Sequence, residues 1–349
     1  MTSPRTVRLA MVGLGNVGRA FLDLMTQKAG LLGERYGLRL LLTAAADSSG
    51  AVLNDGGIDS AALRAHKAAG AGAGAFPGGI PGMEAPALVA RANADLLLEA
   101  SAVNLKTGQP GLDCVRTALR RGMSVVLANK GPLVHAFGEL TAMAGAAGAG
   151  LAYSATVCGA LPVVNIGQRD LAGCEILSVR GIFNSTSNSI LAAMARGGSF
   201  AEALHQAQLD GIAETDPSLD VEGWDTANKL VIIANSILRQ PATLANVTPV
   251  TGITAITPND VRQGAARGEV VKLVATATRK DGRSYSLSVQ PFWLPERDFL
   301  ASVSGWEMGI VFDTDIMGLQ QFKVDERGPI PTAAAMLRDV INISTDHGR

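Results

Sequence analysis

The sequence predicts an α/β protein: a parallel-sheet domain followed by a second, α+β domain. Three observations predict it. A glycine-rich turn, "GLGNVG", follows an apolar strand near the start of the chain. Strand-like and helix-like segments then alternate as far as residue 152, and a parallel sheet with helical crossovers is their simplest packing. Beyond that point helices cluster, and two long strand-like runs follow at "EVVKLVATATR" and "SYSLSVQPFWL". At 349 residues the chain is too long for one ordinary core, which also favours two domains.

The elements read in order as follows. Residues 7–12 form a buried strand, and "RAFLDLMTQKAGLL" carries the apolar period of a helix. Residues 38–46 are a second strand, ending at Asp47. The glycine- and alanine-rich run 68–82 is read as a flexible surface connection. Residues 95–99 give a strand, and "GLDCVRTALRRG" an amphipathic helix with Val115 and Leu119 on one face. Residues 125–128 form the next strand, running into "NKGPL". A helix through "FGELTAMAGAAG" and a strand at 151–153 follow. In the second domain, "EILSVRGIFN" is a strand. "TSNSILAAMARG", "SFAEALHQAQLDG" and "WDTANKLVIIANSILR" are helices, the last buried beyond its first turn. "IPTAAAMLRDVINI" is a helix with proline in its first turn. The expected division is a dinucleotide-binding domain at 1–152, a second domain at 153–327, and a terminal helix at 328–349 returning to the first.

Charged residues make up only 17% of the chain and the net charge is -1, so no strong field draws it to nucleic acid or an acidic membrane. No run of 18 apolar residues appears, and the first residues carry no long apolar signal segment, so a cytoplasmic protein with no membrane partner is expected. Cys114, Cys158 and Cys174 are odd in number and dispersed, which gives neither a disulfide framework nor a paired metal signature. Cys158 has no activating neighbour in "YSATVCGALP" and is read as buried and inert. The four histidines fall in no ligand spacing, which argues against a zinc site.

The chemistry begins at Gly13, Gly15 and Gly18, a G-x-G-x-x-G directly between strand and helix. The first glycine permits the tight turn, the second lets a pyrophosphate reach the backbone, and the third lets helix and strand pack closely. Asn16 and Val17 open the helix, whose unpaired N–H groups attract phosphate. The first domain is therefore read as Rossmann-type, with NAD or NADP as its cofactor; a purely structural glycine turn is the other reading of these glycines. Asp47 ends the second strand, where an acid receives ribose hydroxyls, although it stands 34 residues past Gly13 rather than about 20. A simple turn or helix cap is the other reading of Asp47. Lys67 is the nearest candidate to receive a 2′-phosphate.

Lys130 follows a buried strand in "VVLANKGPL". Ligands in open parallel sheets bind outside the carboxyl ends of strands, so Lys130 is either placed to meet a bound group or is an ordinary surface lysine. The segment from Gly211 to Lys229, "GIAETDPSLDVEGWDTANK", gathers five carboxylates just ahead of the apolar "LVIIANSIL". Asp225 and Lys229 are four apart and share a helix face. On a surface such a pair is worth only ~0.3–0.5 kcal/mol. Beside a core, the lysine needs its carboxylate, and its proton affinity becomes adjustable. A proton-transfer lysine and a self-satisfied ion pair both fit that spacing. Glu214, Asp216 and Asp220 suit an ammonium group better than a metal, because hard-cation loops space their ligands more regularly.

These stretches resemble the homoserine dehydrogenase family, in its form without a C-terminal ACT domain. The likeness runs through "VGLGNVGRAF", "ASAVNLKTGQPG", "LANKGPL", "YSATVCGALPVV", "GIFNSTSNSIL", "GIAETDPSLDVEGWDTANKLVIIAN", "GITAIT" and "PTAAAMLRD", in that order along nearly the whole chain. The resemblance implies NAD(P)-dependent interconversion of L-homoserine and L-aspartate 4-semialdehyde. It implies Lys130 and Lys229 as the two active-site lysines, with Lys130 also beside the cofactor. Glu214 and Asp225 would surround the substrate amine and the second lysine, with Asp220 in the substrate loop and Thr186 in the pocket. It further implies Na+ or K+ on the backbone carbonyls of Ser154, Val157, Gly159 and Leu161, and a homodimer formed through the second domain. Ser154 stands where the family often has an acid, "VDERGPIPTAAA" replaces a glycine-rich run, and Trp306 and Met308 replace smaller or more polar residues. Other readings are a dehydrogenase of a different hydroxy amino acid, an NAD-retaining lyase or synthase, and a non-enzymatic nucleotide sensor. Net NAD(P)H change separates the first from the rest.

Overall fold

The computed structural model describes residues 3–282 and 284–345. The chain forms two compact units, one of residues up to Ala160 together with those from Gly328 on, the other Leu161–Arg327.

The first unit runs β1 (Arg5–Val12), α1 (Asn16–Gln27), α2 (Ala29–Tyr36), β2 (Leu38–Asp47), β3 (Gly50–Leu53), α3 (Ser60–Ala68), β4 (Gly79–Pro81), α4 (Ala85–Arg91), β5 (Leu96–Glu99), α5 (Gly111–Arg120), β6 (Ser124–Leu127), α6 (Gly131–Ala147) and β7 (Leu151–Ala152). Its sheet has the order β4-β3-β2-β1-β5-β6-β7. The pairs of β1 with β2 and β5, of β5 with β6 and of β6 with β7 are parallel. Strand order reverses at β1, so a ligand crevice opens beyond the carboxyl ends of β1 and β5. The sheet is buried on both faces, with Leu9, Met11, Leu42, Leu96, Leu98 and Val126 in one core with Phe21 and Leu22 of α1. That double burial explains why its strands read as continuous apolar runs.

The segment expected to be a flexible connection is ordered. β4 pairs antiparallel with β3, which pairs antiparallel with β2, and Ala73 between α3 and β4 is fully buried. Glycine makes this possible by close backbone approach: a side chain at Gly79 would meet the Ala73 and Gly74 carbonyl oxygens at 2.6 Å. Helix α6 begins at Gly131 rather than near residue 137, and Ala136 breaks it with φ −144°. The part after the break is the helix legible in the sequence.

The second unit comprises α7 (Val163–Asn165), β8 (Ile176–Ile182), α8 (Ser185–Ala195), α9 (Phe200–Leu209), α10 (Ser218–Val221), α11 (Trp224–Ser236), β9 (Val247–Val250), α12 (Pro258–Ala266), β10 (Glu269–Arg279), β11 (Tyr285–Pro295), β12 (Glu307–Thr314) and β13 (Gly318–Asp325). Its sheet, β13-β12-β8-β10-β11-β9, is antiparallel except between β11 and β9. Strands β12 and β13 form a hairpin that the sequence reading did not assign. No residue of β13 is buried, so it lacks the apolar run that marks the buried strands.

The C-terminal helix, α13 (Ile330–Ser344), buries Ala333, Met336, Leu337 and Val340 in the core of the first unit. The expected break after residue 152 falls eight residues later, at Ala160. The cause is a latch. The buried Asp339 carboxylate of α13 accepts hydrogen bonds from the Ser154 backbone N–H (2.9 Å) and hydroxyl (2.8 Å), and Tyr153 meets Phe137 edge-on at 5.6 Å.

Candidate active site

The glycine turn lies at the reversal of strand order. Gly13 has φ +97°, and a side chain there would collide with the Ala100 carbonyl oxygen just past β5. A side chain at Gly18 would strike the Gly13 carbonyl oxygen. The protein's own packing therefore explains both. Gly15 differs: a Cβ there would meet nothing within 4 Å. It caps α1 without any side-chain hydrogen bond to the helix start. Gly15 leaves open, beside uncapped N–H groups, the space a pyrophosphate takes in this type of turn. Asn16 is exposed and accepts from Arg19 (2.7 Å), while Val17 packs on the core. The turn thus fits the expected nucleotide.

Asp47 is not an open acid. Its carboxylate accepts from the Lys67 ammonium, the Ala73 N–H (3.0 Å), and the Ser49 N–H (2.9 Å) and hydroxyl (2.6 Å). Burial pushes its pKa up, but the hydrogen bonds from Lys67, Ser49 and Ala73 outweigh burial and hold it below the usual carboxylate value. Lys67, considered for a 2′-phosphate, spends its charge on Asp47 in this structure.

Lys130 occupies the turn between β6 and α6, half-buried, as the capping residue of α6. Its neighbour Asn129 is buried, with Oδ1 accepting from the Gly131 N–H (2.9 Å) and Nδ2 donating to Ser101 Oγ (3.2 Å). Glu99, at the end of β5, is fully buried, and Oε1 accepts from the Ser101 N–H (3.1 Å). Burial pushes Glu99 from 4.5 up to about 7, against hydrogen bonds from Ser101 and Asn129 that favour its charge.

In the second unit the acidic segment folds onto the start of α8. Lys229 Nζ lies 2.8 Å from Asp225 Oδ2, with side chains only 13% and 9% exposed. Nζ also donates to the Phe183 carbonyl at 2.5 Å. Asn184 caps α8 through Oδ1, which accepts from the Ser187 N–H (2.8 Å). Its amide nitrogen bridges two acids, donating to Asp225 Oδ2 (2.9 Å) and Asp220 Oδ1 (2.6 Å). Burial, and then the neighbouring Asp225 charge, push the Asp220 carboxyl above its usual range. Two charges this dry hold each other in place, and removing one partner costs on the order of 3–5 kcal/mol. The Thr186 hydroxyl donates to the Ile212 carbonyl (3.0 Å), tying the acidic loop to α8. Glu214 is exposed on that loop, and among the described residues its carboxylate makes no hydrogen bond or ion pair.

Helix α8 is itself clamped from the sheet. Lys272 of β10 is buried and donates to Asn188 Oδ1 (3.0 Å) and to the Val303 carbonyl. Asn188 lies one turn beyond Asn184 on the same face of α8. Burial pushes Lys272 down to about 8.

The structure thus joins Asp220, Asp225 and Lys229 in one unit, and sets Lys130 and the glycine turn at the carboxyl edge of the sheet in the other. Asn184 and the Phe183 carbonyl were missed, although "FNSTSNS" contains the cap signal of Asn184. Glu99 was read only as a strand end. Ser154, Val157, Gly159 and Leu161 are all buried, and the Leu161 carbonyl already accepts from the Val163 N–H (2.7 Å). The acid missing at position 154 is supplied to Ser154 by Asp339. Among the described residues no cluster of histidine, cysteine, aspartate or glutamate could hold a metal ion.

Residues 162–341 match the sequence profile of homoserine dehydrogenase. The NAD(+)-dependent homoserine dehydrogenase of Pseudomonas canavaninivorans is 35% identical over 96% of each chain. The chain belongs to the homoserine dehydrogenase family. The homoserine dehydrogenase of Methanocaldococcus jannaschii is 36% identical over 96% of this chain and 98% of its own. A crystal structure of a homoserine dehydrogenase from Thiobacillus denitrificans superposes with TM-score 0.84 at 27% identity, over 100% of this chain and 75% of that one. The family is one of NAD(P)-dependent oxidoreductases, and the buried Asp225–Lys229 pair lies within the matched residues.

Two outcomes follow from this geometry. Gly15→Val leaves the thermal unfolding midpoint close to wild type and weakens NAD(P)H binding, measured by fluorescence titration, by at least about tenfold. Gly18→Val lowers the midpoint itself, because its side chain has nowhere to go; equal effects on stability would contradict the division. The raised pKa of Glu99 has a sign. Its contribution to stability is fully present below about 4.5, where both states are protonated, and is lost as pH rises through about 7. Urea unfolding of wild type against Glu99→Gln is expected to shift in favour of the variant by up to about 3 kcal/mol between pH 5 and pH 8. A difference independent of pH would rule this out.

Proposed function

We propose that this chain oxidises L-homoserine to L-aspartate 4-semialdehyde, and reduces it back, with Lys229 moving the proton. The observation that supports this most is the Lys229 ammonium, only 13% exposed and held by Asp225 and the Phe183 carbonyl, with Asn184 bracing Asp225. NAD or NADP, bound along Gly13–Gly18, supplies the acceptor and donor of hydride. In oxidation Lys229, in its neutral form, takes the hydroxyl proton at Nζ; in reduction its ammonium returns it. Asp225 and the Phe183 carbonyl fix Nζ, so little reorganisation accompanies the transfer. Glu214, exposed and unpaired, binds the substrate ammonium, with Asp220 and Thr186 shaping the same loop. Lys130 polarises the reacting oxygen. The Asp47 charge disfavours a 2′-phosphate, and Lys67 beside it offsets part of that charge. Na+ or K+ on the carbonyls of Ser154, Val157, Gly159 and Leu161 belongs to the same proposal, as does a cytoplasmic site, where amino-acid substrate and nicotinamide nucleotide meet. A homodimer is supported by Ile316, Met317 and Leu319, exposed at the hairpin end of edge strand β13.

The test is turnover of L-homoserine and a panel of hydroxy amino acids with NAD and NADP, with and without K+, and of the aldehydes in reverse. Homoserine is expected to give the highest kcat/KM, and no nucleotide turnover with any substrate would overturn the proposal. Lys229→Met is expected to lower kcat by on the order of 100-fold or more at nearly unchanged cofactor affinity. Glu214→Gln chiefly raises the homoserine KM. Equal loss of kcat and cofactor affinity in the lysine variant would mark it as structural.

A further inference from the structure

Glu99 is a buried acid that the reaction above does not use. Its Oε2 is buried and has no hydrogen-bond partner among the described residues. Two helices begin against this group. A Cβ at Gly111, the first residue of α5, would lie 2.9 Å from Glu99 Oε2 and 2.7 Å from Asn129 Nδ2. A Cβ at Gly131, the first residue of α6, would lie 3.1 Å from Asn129 Oδ1. Neither helix start carries a side-chain cap from its own capping residue, Pro110 or Lys130. The partial positive charge of both helix starts therefore falls on Glu99 and Asn129. Glycine at both positions lets the helices come that close.

The rest of the surroundings do little to neutralise Glu99. On α5 stand Asp113 and Cys114, and the charges of Glu99 and Asp113 add to burial in pushing the Cys114 thiol up. On α6 and the turn before it stand His135, bonded to the Leu105 carbonyl, and Lys130; Lys106 lies in the segment between β5 and α5. No ion pair to Glu99 occurs among the described residues. What responds to its charge is the set of hydrogen-bonding groups that defines the Lys130 turn: Ser101 N–H, the Asn129 amide and the two helix starts.

We propose that Glu99 is the positioning residue of the Lys130 turn: ionised, it draws Asn129 and the starts of α5 and α6 together and fixes Lys130 for the reaction, and protonated it lets the turn relax. This rests on the reading that Lys130 meets the reacting oxygen. Burial holds Glu99 near pH 7, so the change of state falls within the working range. Activity limited by this group rises with pH through about 7.

The experiment is the pH profile of kcat/KM for homoserine oxidation by the full-length protein, wild type against Glu99→Gln. The variant is expected to bind NAD(P)H as wild type does, to lose on the order of 10- to 100-fold in kcat, and to lose the limb near pH 7. A variant that keeps that limb, at whatever level of activity, overturns the proposal. If Glu99→Gln does not fold, Ser101→Ala takes its place. It keeps the backbone N–H bond and removes the Ser101 hydroxyl, whose contribution also favours the charged carboxylate, so the limb moves to higher pH, and an unmoved limb overturns the proposal. Lys130→Met separates the two readings. Wild-type turnover in that variant ends the role given to Lys130, whereas a silent lysine variant with an unaltered Glu99→Gln profile ends only the role given to Glu99.

Discussion

An ammonium group taken out of water must be held by an anion or by hydrogen-bond acceptors, and that requirement organises the second unit. Lys229 lies on a helix whose next two turns enter the core, and its side chain is only 13% exposed. Asp225, one turn earlier, supplies the charge, and the Phe183 carbonyl a second acceptor. The remaining needs pass to Asn184, which caps α8 with its oxygen and bridges Asp220 and Asp225 with its nitrogen. Two stretches of chain distant in sequence, 183–184 and 220–229, are thereby fixed around one nitrogen. Lys272 extends the same logic, since its bond to Asn188 holds α8 against the sheet one turn below the cap.

The first unit answers a different constraint with related means. Its strands are buried on both faces, so polar work is pushed to their carboxyl ends. There the chain places glycine at Gly13 and Gly18 for its own packing, and at Gly15, where a side chain would meet nothing within 4 Å, it leaves open space beside the helix start. At the next two strand ends, Glu99 and Asn129 face the starts of two helices. The nucleotide turn and the lysine turn are built from the same materials: helix starts, missing side chains and a few buried acceptors.

The parts legible in the sequence are those with short-range signals. The glycine turn is legible because its spacing is local, and the Asp225–Lys229 pair because four residues make one helical turn. Asn184 was missed because its partners lie 36 and 41 residues away, and nothing local announces them. Glu99 looked like the polar end of a strand, and only the fold shows that it is buried. Strands β3 and β4 hide in glycine and alanine, because close backbone approach rather than side-chain alternation forms them. The break between units was placed early because the Ser154–Asp339 latch joins residues 185 apart.

The central claim is that Lys229, held by Asp225, meets the substrate oxygen. A crystal structure of the protein with oxidised nucleotide and homoserine tests it most directly. The account predicts the homoserine hydroxyl oxygen within about 3 Å of Lys229 Nζ, with the bond to Asp225 intact. A well-ordered substrate whose hydroxyl lies out of hydrogen-bond reach of Lys229, while that pair remains closed upon itself, would contradict it.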